Sequence, residues 1–257
     1  MYQAHPIQGI SPQQTGMSPE GILMLKIRRP IPGNRIKLLI FDLDGTLVDS
    51  RIDLANSVNA MLQHLHRPEL PCEVIASYIG DGAPMLVRRA LGDPDDEQIV
   101  TDALNYFMGW YREHLLDNTF LYPGTVEALE RLRVAPDGSV RKMAVLSNKP
   151  VRPSERIVNG LGIGQFFFRV YGGNSFHTKK PDPYGALELL REAQVQPEHT
   201  VIIGDSHNDT LTARNAGTYS IGLSYGLAPQ LMDAAPPDVM VDTPAEIAQV
   251  LDGTRSY

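Results

Sequence analysis

Residues 36–46 read IKLLIFDLDGT: an apolar, branched run from Ile36 to Phe41, then Asp42 and Asp44 flanking Leu43, then the turn-forming pair Gly45-Thr46. An apolar run without alternation fits a strand buried on both faces, as strands of parallel sheets are. Toward the C-terminus the same unit recurs. Strand-like runs at 143–147, 166–173, 200–205, 220–224 and 238–241 alternate with helical patterns at 126–132, 154–161, 183–192, 209–216 and 245–251. That alternation predicts an α/β fold, a Rossmann-like parallel sheet with helices on both faces. Reactive residues in such sheets gather outside the carboxyl ends of the strands. Here those ends carry Asp42 and Asp44, Ser147, the loop leading to Lys180, and Asp205 with Asp209.

The stretch 51–117 breaks the alternation. Asp49 and Ser50 offer N-caps, and Ile52, Ala55, Val58, Leu62 and Leu65 then repeat at helical spacing. Further helices are expected at 73–78, 84–91 and 97–116, separated by the Gly-rich loop IGDGAP, with no strand pattern among them. The chain is therefore divided into a flexible N-terminal extension (1–35), a catalytic core (36–50 and 118–257) and an inserted all-helical segment (51–117), with linkers near 49–51 and 117–123. The extension is rich in Pro, Gln, Gly and Ser, and it lacks the basic start and apolar run of a secretory signal. Within it, residues 22–27 hold an apolar stretch that allows a short strand.

Composition narrows the class of function. The 257-residue chain is 42% hydrophobic and 21% charged, with a net charge of -7. That balance speaks against nucleic-acid binding, which favours a basic patch or stripe. Cys72 is the single cysteine, so no intrachain disulfide can form and a reducing cytoplasm suits the chain. No apolar stretch approaches the roughly 20 residues of a membrane span. Both a monomer and a homodimer fit these features.

Two acidic pairs, in DLDGT and in GDSHND, are costly to bring together unless something neutralises them. A hard divalent cation with oxygen ligands resolves the cost. Magnesium fits better than zinc, because no His or Cys stands at ligand spacing. A carboxylate ionised at neutral pH can act as a nucleophile without a base. A phosphate dianion beside ionised Asp42, Asp205 and Asp209 would still outweigh one magnesium ion and Lys180. Backbone N–H groups and hydroxyls, which Gly45-Thr46 and Ser147-Asn148 can offer, must supply the rest. The pattern predicts phosphoryl transfer on a small phosphorylated metabolite.

In that order along the chain, FDLDGTLVDS (41–50), VLSNK (145–149), KKPDP (179–183) and GDSHND (204–209) closely resemble the four signature motifs of the haloacid dehalogenase-like phosphatases. The resemblance spans residue 36 to the C-terminus. It implies that Asp42 takes the phosphoryl group as an aspartyl phosphate and that Asp44 is the general acid and base. Ser147 would hydrogen-bond phosphoryl oxygens, and Lys180 would pair with them and with the nucleophile. Asp205 and Asp209, with Asp42 and the backbone carbonyl of Asp44, would hold magnesium. Of the adjacent Lys179 and Lys180, the family places its lysine directly before Pro-x-Pro, which selects Lys180.

The helical insert resembles the family's small cap, and 78–91 together with SNKP and GGNSFHTKKPDP looks most like the phosphoglycolate phosphatase branch. That branch implies hydrolysis of 2-phosphoglycolate, with Gly80 and Gly82 presenting backbone N–H groups to a small carboxylate. Arg88 and Arg89 either complement that carboxylate or stand as solvated helix charges. Lys149 reads as peripheral, and His177 and His207 as loop residues. A sugar-phosphate phosphatase, a pyrophosphatase or a phosphosugar mutase remain alternatives on the same fold. A phospho-accepting receiver without turnover is the alternative of another class.

Overall fold

The computed structural model describes residues 27–253. Strand β1 (Leu38–Phe41) lies inside a six-stranded sheet, and all four of its residues are buried. Its residues face two cores by turns. Leu39 and Phe41 join one, Leu38 and Ile40 the other, as the two-residue period of a strand requires.

After β1 come β2 (Val48–Asp49), four helices, β3 (Phe120–Leu121) and α5 (Thr125–Leu132). The four helices are α1 (Arg51–His64), α2 (Cys72–Ala76), α3 (Ala83–Ala90) and α4 (Glu97–His114). The chain continues through β4 (Lys142–Leu146), α6 (Val151–Gly160), β5 (Arg169–Tyr171), α7 (Tyr184–Ala193), β6 (Thr200–Gly204) and α8 (His207–Ala216). It closes with β7 (Tyr219–Leu223), β8 (Val239–Val241) and α9 (Pro244–Asp252).

The sheet order is β5-β4-β1-β6-β7-β8, parallel throughout. β1 pairs on both sides, Phe41 lying opposite Val145 of β4 and Ile203 of β6. The ends of β1, β4 and β6 therefore open on one rim. Helices α7 and α8 pack on one face through Ala186, Leu189, Ala213 and Ala216. Helices α5, α6 and α9 cover the other through Leu129, Leu132, Ile157 and Ile247. The α/β architecture with helices on both faces is as the alternation predicts.

Several details differ from the sequence reading. The strand expected at 166–173 is only β5, preceded by a 3-10 turn at Gly164–Phe166. At its far end the Gly172-Gly173 pair lies so close to the backbone of 148–151 that side chains there would collide. The linkers near 49–51 and 117–123 contain the antiparallel ribbon β2–β3, Val48 opposite Leu121. Ser50 occupies the N-cap position of α1 but makes no capping bond with its side chain. Instead Asp49 Oδ1 accepts from the Arg51 N–H, and the Ser50 hydroxyl turns toward Asp44.

A second clasp ties the start of the insert to its end. The buried Asp53 carboxylate accepts from the backbone N–H groups of Asn118 and Thr119, from the Asn118 amide and from the Thr119 hydroxyl, all at 2.8–2.9 Å.

Of the extension expected through residue 35, residues 1–26 lie outside the described residues, as does the strand allowed at 22–27 apart from Ile27. Residues 27–35 are held on the core, which corrects their assignment to a flexible segment. Ile27 bridges Val239, the Arg29 guanidinium sits 4.0 Å above the Tyr219 ring, and Ile31 is buried. The buried Arg141 donates to the carbonyls of Gly33 and Leu251 at 3.2 and 3.1 Å.

Candidate active site

Asp42 is the first residue past β1, and its N–H still donates to the Ile203 carbonyl at 2.9 Å. Its Oδ1 accepts from the Leu43 N–H at 2.7 Å. Gly45 turns the chain with φ +81°, and a side chain there would overlap the Asp205 carboxylate. The bend places the Asp44 carboxylate between two donors. The Ser50 hydroxyl lies 2.5 Å from Oδ1, and the Lys149 ammonium lies 3.0 Å from both oxygens.

At the end of β6, Ser206 and Asp209 form a capping box for α8. Asp209 Oδ2 accepts from the Ser206 N–H and hydroxyl at 3.1 and 2.8 Å. Its other oxygen takes the Lys180 ammonium at 2.6 Å, and Lys180 also lies 3.0 Å from Asp42 Oδ1. Asp42, Asp205 and Asp209 each offer one oxygen within 4.8 Å of the others, and all three are buried. Asp205 Oδ2 is fixed by the N–H groups of Leu227 and Ala228 at 2.6 and 3.1 Å.

The charges around these groups are unevenly matched. Burial, then the Asp209 and Asp44 carboxylates, push Asp42 up to about 6 against the pull of Lys180. The same burial, with Asp209 and Asp42 nearby, holds Asp205 well above the ordinary carboxylate range. Asp42 is thus less readily ionised than an ordinary carboxylate, yet at about 6 it is still largely ionised at neutral pH. Lys180 loses to burial but gains more from Asp209 and Asp42, and it stays above the ordinary lysine range. Three buried carboxylates facing one ammonium leave two negative charges, which is what one divalent cation would neutralise. An all-oxygen donor set suits a hard cation of the magnesium type.

At the end of β4, Ser147 is buried and its Oγ accepts from the Lys149 N–H at 3.3 Å. The Asn148 amide donates to the carbonyls of Gly80 and Lys180, both at 3.0 Å. Its two amide hydrogens thus tie the loop of 78–82 and the Lys180 carbonyl to the end of β4, a use separate from the backbone N–H expected to serve a phosphate. That loop has further anchors: Asn208 to Asp81 Oδ1 at 2.9 Å, and Lys179 to the Asp81 carbonyl at 2.6 Å. Gly82 (φ +85°) passes the Asn148 carbonyl so closely that a β-carbon would stand 2.7 Å from it.

Gly80 and Gly82 line a cavity over the rim that spans about 630 Å³ counting its open mouth. Asp42, Asp44, Ser147, Asn148 and Asp205 line it too. Thr46 Oγ1, Asn148 Oδ1 and His207 Nδ1 are buried there or near it, without a hydrogen-bond partner among the described residues.

Other side chains sit elsewhere than the sequence reading placed them. Lys149 is no peripheral charge: it is buried against Asp44. Burial disfavours its ammonium, yet Asp44 and Tyr111 outweigh that and hold it above the ordinary lysine range. Arg88 pairs with Glu97 and Asp93, and Arg89 with Asp81 and the Tyr78 carbonyl, so both are committed away from the cavity. His177 is exposed. The sequence reading missed Ser50, Tyr111 and the N–H groups of Leu227 and Ala228. Gly226 was the one signal for the last two, since a side chain at that position would strike Asp205.

A family model described as haloacid dehalogenase-like hydrolase matches residues 39–223. A protein of Pseudomonas putida named phosphoglycolate phosphatase is 39% identical over 218 residues, covering 82% of this chain and 78% of that one. One of the same name from Chromobacterium violaceum is 37% identical over 220 residues, covering 84% and 96%. The crystal structure of a predicted phosphoglycolate phosphatase from Haemophilus somnus 129pt superposes with a TM-score of 0.77 at 32% identity, covering 84% of this chain and 98% of that one. The chain belongs to the haloacid dehalogenase-like hydrolases.

Proposed function

We propose that this chain is a magnesium-dependent phosphatase that hydrolyses 2-phosphoglycolate to glycolate and phosphate through an aspartyl phosphate on Asp42. The chemistry is supported by one observation above others: Asp42 stands at a buried acidic cluster, with Lys180 at 3.0 Å and a second carboxylate, Asp44, two residues on. The substrate is supported by the names of relatives 35–39% identical to this chain.

In the first half-reaction an Asp42 oxygen attacks phosphorus, the P–O ester bond breaks, and its electron pair leaves with the glycolate oxygen. Asp44 gives that oxygen a proton. In the second half-reaction Asp44 takes a proton from water, the water oxygen attacks phosphorus, and the bond to Asp42 breaks to restore the carboxylate. The Ser147 hydroxyl, the Thr46 hydroxyl and Lys180 hold the phosphoryl oxygens. Asp42, Asp205, Asp209 and the Asp44 carbonyl would hold magnesium, which when bound supplies positive charge against the phosphoryl oxygens. Helices α1–α4 act as a cap (51–117) over the core (36–50 and 118–257), and the loop of 78–82 excludes water from the cavity.

A panel of phosphate esters with magnesium tests this reading. Phosphate release from 2-phosphoglycolate should exceed that from generic esters in kcat/KM, stop on chelation, and disappear in Asp42→Asn. If 2-phosphoglycolate turned over no better than the other esters, the substrate would be wrong. Stoichiometric phosphorylation without turnover would overturn the phosphatase.

A further inference from the structure

If 2-phosphoglycolate is the substrate, some group must recognise its carboxylate, and geometry limits where that group can be. Asp44 has to reach the ester oxygen to protonate it. In this substrate the carboxyl carbon is two bonds beyond that oxygen, so the cation that reads it must adjoin Asp44.

Among the described residues lining the cavity, Lys149 is the one cation. Arg88 and Arg89, the other candidates in the helical insert, spend their guanidinium groups on Glu97, Asp93 and Asp81. Lys149 has three ammonium hydrogens, and the two Asp44 oxygens account for two of them. Beside it stands Tyr111 of α4, which is 2% exposed; its hydroxyl interacts with the Lys149 ammonium but has no partner at hydrogen-bonding distance and angle among the described residues. The Lys149 ammonium lies 4.8 Å from the Tyr111 ring centre. Helix α3 also starts at this cavity, at Gly82-Ala83, with no side chain capping its first turn. The rest of the wall on that side is apolar: Leu54, Ile79, Leu86 and Phe107. A buried hydroxyl without a well-formed hydrogen bond is costly, and an anion reaching both it and the ammonium would satisfy both.

The geometry points to Lys149 and the Tyr111 hydroxyl as the subsite for the substrate's second anionic group, one that selects a carboxylate two bonds from the ester oxygen. The inference rests on the phosphoglycolate reading and adds the residues that would enforce it. Lys149 then has two duties, orienting Asp44 and binding the carboxylate. Tyr111 has only the second.

The test compares 2-phosphoglycolate with ethyl phosphate, which replaces the carboxylate by a methyl group at the same position. For wild type, Tyr111→Phe, Lys149→Met and Lys149→Arg, the ratio of the two kcat/KM values is read within each protein, so any damage to the shared chemistry cancels. The ratio should fall roughly 5- to 10-fold in Tyr111→Phe and 10- to 100-fold in Lys149→Met, as expected for a lost neutral and a lost charged hydrogen bond. Lys149→Arg should keep part of it. The KM for 2-phosphoglycolate should rise in Tyr111→Phe. If wild type prefers 2-phosphoglycolate but both substrates fall equally in Tyr111→Phe and Lys149→Met, the subsite is overturned and the phosphoglycolate reading stands. If wild type shows no preference between the two esters, both fail.

Discussion

In metal-free protein at pH 8, replacing Asp42 by asparagine should raise the melting temperature. Asp42 is held at about 6, above its ordinary 3.8, chiefly by burial and despite Lys180. A carboxyl whose folded-state pKa is raised favours the fold in its protonated form. Its contribution is therefore complete below the ordinary value and is lost as pH rises through about 6. The loss for Asp42 alone is roughly 3 kcal/mol, and because the shift is net, the attraction of Lys180 is already included. Asparagine keeps the shape and stays neutral, so it should recover most of that. For a chain of this size 1 kcal/mol moves the midpoint by about 2–4 °C, which gives a gap of roughly 6–12 °C at pH 8. The gap should close near pH 4, where wild-type Asp42 is itself protonated. Thermal melts of both chelator-treated proteins, followed by circular dichroism from pH 4 to pH 8, measure it directly. Magnesium should raise the wild-type midpoint at pH 8 and have little effect at pH 4. A gap independent of pH, or an Asp42→Asn protein less stable than wild type at pH 8, would refute the reasoning.

Gly226→Ala puts a β-carbon against the Asp205 carboxylate and must displace it, so the magnesium concentration for half-maximal activity should rise about tenfold, by titration at saturating ester. Asp53→Ala strands the donors of Asn118 and Thr119 at the base of the insert, and denaturant unfolding should show a loss of about 2–4 kcal/mol. Asp81→Ala removes the partner of Asn208 and Arg89, and steady-state kinetics should show a several-fold higher KM with kcat changed less.

The sheet was legible because β1, β4 and β6 are apolar almost residue by residue, which only a strand covered on both faces needs. The β2–β3 ribbon was not. Each strand has two residues, Phe120 is 49% exposed, and neither carries a period that a sequence can display. The same divide runs through the site. Asp42, Asp205 and Asp209 declare themselves because acidic residues packed within a few positions of a strand end are costly without a purpose. Lys149 sits beside a motif yet looks like any surface lysine, and only the fold brings it to Asp44, 105 positions away. Tyr111 fits the apolar stripe of α4, where it is indeed buried, and nothing in that stripe marks a hydroxyl left without a well-formed hydrogen bond. The N–H groups that fix Asp205 belong to Leu227 and Ala228, whose side chains have no part in the contact.

Placing Lys149 changes how the charges of the site divide. Asp44 and Lys149 form a closed pair, one carboxylate to one ammonium, with the Ser50 hydroxyl completing the carboxylate's contacts. Asp42 and Asp209 share Lys180, Asp205 has no ion pair among the described residues, and when all three are ionised the cluster is two charges short. The protein thus compensates Asp44 from within and leaves Asp42 to be compensated from outside. In the proposed reaction Asp44 would carry a proton to and from substrate oxygen, and a permanent partner in Lys149 would keep it aimed through both half-reactions. In the same proposed reaction Asp42 would instead meet a dianionic phosphate, and an acidic cluster already neutralised by fixed lysines would leave no place for a cation between them. The deficit around Asp42 and the balance around Asp44 are two answers to one electrostatic requirement, set by which of the two carboxylates would face the phosphate.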